Sequence, residues 1–114
     1  MAALGKKLRT TNDGLMFWCP GCDSPHGIRT APGGWTFDGN ADAPTFAPSV
    51  LVTGTQRITD EEADRILRGE KFEPLPLLCH TFVRAGRIEF LGDCLHALAG
   101  QTVELPDWPN SFDD

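Results

Sequence analysis

Cys19-Pro20-Gly21-Cys22 is the segment of this 114-residue chain best equipped for chemistry, because a Pro-Gly turn lets two nearby thiols point at one centre. A redox pair would need its first thiol at a helix N-terminus. The residues that follow, Asp23-Ser24-Pro25-His26-Gly27, oppose a helix, so the spacing predicts a metal knuckle. Cys79 and Cys94 would complete a shell of four thiolates, the closed tetrahedral arrangement that zinc takes in structural sites. Each of the three histidines lies within four positions of a cysteine, so His26, His80 and His96 stand as alternate ligands. A zinc held by four thiolates is coordinatively closed; a zinc that activates water would need one thiolate missing from its shell.

Hairpins must bring these side chains together. Leu77 to Val83 and Ile88 to Leu91 flank Ala85-Gly86, a tip that pairs Val83 with Ile88 and Thr81 with Phe90. Extended further, that register sets Cys79 opposite Gly92 and puts Cys79 and Cys94 on the core face as diagonal neighbours. A bulge at Gly92-Asp93 would slip it and could exchange Cys94 for His96. His80 falls on the opposite face with Phe82, Glu89, Leu91 and Asp93. A cross-strand pair of His80 with Asp93 would give an oriented imidazole of the kind a general base needs.

Elsewhere the pattern predicts short strands near 14–18, 27–31 and 35–37 and from Ser49 to Thr53. A helix over about 60–68 is signalled by Thr59 and Glu62 as a capping box and by Gly69 as a stop. Its stripe of Ala63, Ile66 and Leu67 is expected to dock on a sheet, since so short a helix cannot stand alone. Residues 70–76, with Pro74 and Pro76, read as a linker, and the tail from Val103 as an extended segment over the body. Residues 1–13 read as a flexible basic arm and 14–114 as a single zinc-binding domain. The fold class expected is mainly β (α+β): a small antiparallel sheet of hairpins with a Cys-x-x-Cys zinc knuckle and one short helix.

Composition narrows the function. Ten Lys and Arg against sixteen Asp and Glu give a net charge of −6, which argues against a nucleic-acid partner. Trp18, Trp35 and Phe37 are therefore expected in the core rather than stacked on bases. No apolar run approaches the ~20 residues of a membrane span. Lys6, Lys7 and Arg9 are not followed by an apolar stretch, so no signal peptide is read and a cytoplasmic location is expected.

Taken together, Phe17-Trp18-Cys19-Pro20-Gly21-Cys22, His26-Gly27, Trp35, Asn40, Pro44-Thr45-Phe46-Ala47-Pro48-Ser49-Val50 and Cys79-His80-Thr81-Phe82-Val83 form a specific set. So do Gly86-Arg87-Ile88-Glu89-Phe90-Leu91, Asp93-Cys94, His96 and Ala99-Gly100-Gln101-Thr102-Val103. Over roughly 16–108 the chain resembles the DUF6527 family of small phage and prophage proteins. Many of those carry the label ammonia monooxygenase, which a chain with no membrane span and a thiolate-rich ligand set does not fit. More distantly it resembles peptidases found beside bacterial ubiquitin-like conjugation genes, through Cys19/Cys22, Pro48-Ser49 and Cys79-His80. The resemblance offers Ser49 as a nucleophile, His80 as its base and Asp93 as the orienting carboxylate. Two functions are thus expected: a zinc-stabilised protein that binds a host or defence protein, or a hydrolase of the peptidase or isopeptidase type.

Overall fold

A computed structural model describes residues 2–55, 58–73 and 75–109. Pro74 of the expected linker and the end of the tail lie outside them. The first sheet is an antiparallel meander of β1 (Ala2–Leu4), β2 (Leu8–Thr10), β3 (Gly14–Cys19) and β4 (Ser24–Arg29). A two-stranded ladder, β5 (Thr36–Phe37) with β6 (Phe46–Ala47), leads to β7 (Val50–Thr55). After α1 (Asp60–Leu67) come β8 (Pro76–Arg84), β9 (Arg87–Phe90) and β10 (Thr102–Glu104), which form the second sheet in the order β10-β9-β8-β7. The described residues form a mainly β fold with one short helix, in two main sheets rather than one.

The β8–β9 hairpin has the expected register, Thr81 facing Phe90 and Val83 facing Ile88. Ala85 and Gly86 at its tip both take positive φ, 50° and 78°, the backbone that a two-residue hairpin turn requires. The segment before β6 docks on this turn: Ala85 N–H donates to Thr45 Oγ1 at 2.8 Å and Gly86 N–H to Pro44 O at 3.0 Å. The buried residues of the two main sheets and of β6 form one core that includes Leu8, Phe17, Phe46, Val83, Ile88 and Phe90, with Phe17 stacked on Phe46 at 6.0 Å.

Two expectations fail and a third is modified, each for a physical reason. The flexible arm is instead the hairpin β1–β2, which extends the first sheet at β3 and buries Leu8 completely. Its basic residues hold the tail: Lys7 Nζ bonds Leu105 O and Asp107, and the Arg9 guanidinium lies 5.4 Å from the Trp108 ring. The helix has its Thr59–Glu62 capping box, but none of its residues is buried, and Leu67 is 84% exposed. It joins β7 to β8 away from the core, so its order rests on capping and not on docking. The hairpin register holds through Leu91, whose N–H donates to His80 O, and then slips. Leu91 to Cys94 forms a turn, with Cys94 N–H donating to Leu91 O at 3.2 Å, before Leu95 N–H rejoins β8 at Leu78 O. Cys94 therefore leaves the regular ladder, yet its sulfur still comes within 4.8 Å of that of Cys79, so the expected neighbours meet through the turn rather than through the register.

Candidate active site

His80 sits in the middle of β8, where it faces Leu51 of β7, two residues after Ser49. Side chains on paired strands alternate together, so Ser49, Leu51 and His80 share the face turned away from the core. His80 Nε2 lies 3.0 Å from Ser49 Oγ, and His80 Nδ1 lies 3.3 Å from Asp93 Oδ2. The turn that ends the hairpin register places Asp93 there. A carboxylate on Nδ1 leaves Nε2 free to accept a proton, so this order of groups can activate a hydroxyl. Trp35 Nε1–H holds the other side of Ser49, donating to its carbonyl at 3.1 Å. Sequence reasoning placed Trp35 in the core and missed that bond, for which the sequence carries no signal.

Cys94 grips the backbone of His80. Its sulfur accepts from His80 N–H and donates to His80 O, both at 3.2 Å. The thiol expected as a fourth metal ligand is thus turned toward the strand that carries the histidine.

On the core side of β8, Cys19, Cys22, His26 and Cys79 bring their ligand atoms within 4.8 Å of one another, a group able to hold a metal ion. Cys19 and Cys79 are fully buried, with sulfurs 3.7 Å apart, and they join the end of β3 to β8. Hydrogen bonds from Cys22 and Cys79 lower Cys19 to about 2, whereas the bond to Cys19 pushes Cys22 up to about 12 and Cys79 higher still. Three thiols at this spacing cannot all ionise without a cation among them. His26 supplies an independent sign: it is buried, yet neither ring nitrogen has a hydrogen-bond partner among the described residues. Soft sulfurs with one imidazole suit a soft divalent ion.

His96 and Cys94 form a second group with Cys79. His96 Nε2 lies 3.4 Å from Cys79 Sγ, while its Nδ1 accepts from Leu98 N–H at 3.2 Å. A neutral ring that accepts at Nδ1 carries its proton on Nε2, which makes His96 a donor to Cys79. The ring packs on the knuckle at Gly21, where an added Cβ would lie 2.3 Å from His96 Cε1. Beside it a cavity of about 350 Å³ is lined in part by Cys22, His96 and Leu95; Ser49, His80 and Asp93 do not line it.

Two sheets, a buried thiol–imidazole cluster and a surface Ser–His–Asp chain define a small β-protein with the side-chain order of a serine hydrolase. The chain belongs to the family described as bacterial ubiquitination-like system serine protease (BubE), whose model matches residues 4–91. The match takes in Ser49, His80 and all four members of the larger metal-capable group, and it ends two residues before Asp93. No curated protein and no solved structure matches the chain. No helix among the described residues is long and apolar enough to cross a membrane.

Proposed function

We infer that this protein is a serine hydrolase that cleaves an amide or isopeptide bond in a polypeptide, with Ser49 as nucleophile, His80 as general base and Asp93 as the carboxylate that orients it. The observation that carries the reading is the pair of contacts from one imidazole, 3.0 Å to Ser49 Oγ and 3.3 Å to Asp93. Membership of a family described as a serine protease supports it.

Ser49 Oγ attacks the substrate carbonyl as its proton passes to His80 Nε2, and the C–O bond forms. His80 then gives that proton to the leaving nitrogen, the C–N bond breaks, and an acyl ester remains on Ser49. Water attacks that ester, losing a proton to His80, which returns it to Ser49 Oγ as the acid leaves. Asp93 stabilises the imidazolium formed in each half-reaction.

The thiol cluster has a separate role in this reading. Cys19, Cys22, Cys79 and His26 would hold a zinc ion in a structural site, and the ion would supply a cross-link and no water activation. Such a cross-link would tie β3 and β4 to β8 one residue from His80. His96 supports that site by donating to Cys79, and Cys94 holds the His80 backbone. A second reading, binding to a host or defence protein, draws on the exposed Ile66 and Leu67 of α1.

Hydrolysis of a fluorogenic peptide or of a ubiquitin-like conjugate tests the proposal. Ser49→Ala and His80→Ala should fold with unchanged thermal stability and lose turnover by at least about 10³-fold. Equal turnover in wild type and Ser49→Ala would remove the serine from the mechanism.

A further inference from the structure

The four edges of the two main sheets are unlike one another. β1 and β10 are three residues long, and β10 carries Glu104. β4 contains Pro25 and ends in Arg29. Short length, charge and proline are the ordinary protections of an open edge. The remaining edge, β7, is six residues, Val-Leu-Val-Thr-Gly-Thr, with no charge and no proline.

Hydrogen-bond parity shows which groups that edge presents. Leu91 N–H donates to His80 O at 2.9 Å while Thr81 faces Phe90. His80 and Phe82 therefore turn their backbone groups toward β9, and Cys79 and Thr81 turn theirs toward β7. Thr81 faces Val50 and Cys79 faces Val52, so Val50 and Val52 bond to β8. Ser49, Leu51 and Thr53 consequently direct N–H and C=O away from the sheet. The Trp35 bond to Ser49 O arrives from that outer side, as the parity requires.

We propose that the outer edge of β7, unpaired among the described residues, is the substrate-binding strand: an extended, unfolded stretch of polypeptide pairs with the backbone of Leu51 and Thr53 and so carries its scissile carbonyl to Ser49. The proposal rests on the hydrolase reading and adds the substrate class, a flexible tail or linker in extended form. The edge is continuous with the nucleophile, since Leu51 lies two residues from Ser49 and faces His80. Its half-exposed side chain, at 55%, offers an apolar contact on the same face. Main-chain pairing of this kind gives affinity with little demand on side-chain identity, and it excludes folded helices and compact loops.

Single N-methylation along a cleaved peptide, assayed with the full chain, reads out the pairing. Methyl groups at alternate residues on one side of the scissile bond should lower kcat/KM about tenfold or more, and those between them should have little effect. Leu51→Pro removes an outward N–H at a position where an edge strand tolerates proline. It should keep a wild-type melting curve and lose peptide turnover at least tenfold. A flat response to N-methylation would overturn the proposal, as would wild-type turnover by Leu51→Pro. Reaction of Ser49 with a fluorophosphonate but no cleavage of any extended peptide would overturn it while leaving the hydrolase reading intact. Failure of Ser49 to react at all would remove that reading and the proposal together. Sedimentation showing a wild-type dimer that Leu51→Pro dissociates, with peptide turnover intact, would overturn it by assigning the edge to a second copy of the chain.

Discussion

Asp93→Asn isolates the part of the site that depends most on environment. In a buried triad, an amide in place of the aspartate holds the histidine in the wrong tautomer and lowers kcat by ~10⁴. Here the carboxylate is 54% exposed and its contact with Nδ1 is long for a charge-assisted bond, at 3.3 Å. Water can replace part of the orientation, and solvent screens the stabilisation of the imidazolium. The expected loss is therefore about 10²–10³-fold in kcat/KM, within the usual range of general-base effects. A steady-state peptide assay measures it, with circular dichroism to verify the fold. Because Asp93 lies on a turn and is half in water, the melting temperature should change little. A loss under about threefold would mean that Asp93 does not orient His80, and the proposed division of roles would fail.

Two further outcomes follow from the packing and the thiol cluster. Protein purified under reducing conditions should carry about one zinc per chain by elemental analysis; Cys79→Ser and His26→Ala should lose it and melt lower, while Cys94→Ala should retain it. Equal zinc loss in Cys94→Ala would place that sulfur in the shell. Leu8→Ala, at a fully buried position, should cost about 2–5 kcal/mol in urea unfolding, whereas a flexible arm would tolerate it with a change under about 0.5 kcal/mol.

What could be read from the chain was local. The tip Ala85-Gly86 sets its own register, and Thr59 with Glu62 caps its own helix, so both features match the structure. The Cys-Pro-Gly-Cys turn and the His80–Asp93 pairing were legible for the same reason, since each joins residues in one hairpin or turn. What escaped depended on distant partners. The β1–β2 hairpin pairs with β3 through Leu8 and Phe17 and grips a tail near the other end of the chain, which no local pattern encodes. Cys94 falls outside the group of Cys19, Cys22, His26 and Cys79 and joins Cys79 and His96 in a second one, after the Leu91–Cys94 turn. The meeting of Ser49 with His80 needs β7 paired to β8 across the helix, and it came from family resemblance rather than periodicity. The helix stayed undocked because its stripe meets no sheet face.

The most direct test is to treat the protein with a fluorophosphonate and map the adduct by mass spectrometry. A single phosphonyl group on Ser49, absent from Ser49→Ala and formed at least a hundredfold more slowly in His80→Ala, is the predicted result. Labelling at another residue, or equal labelling of Ser49 with and without His80, would contradict the account.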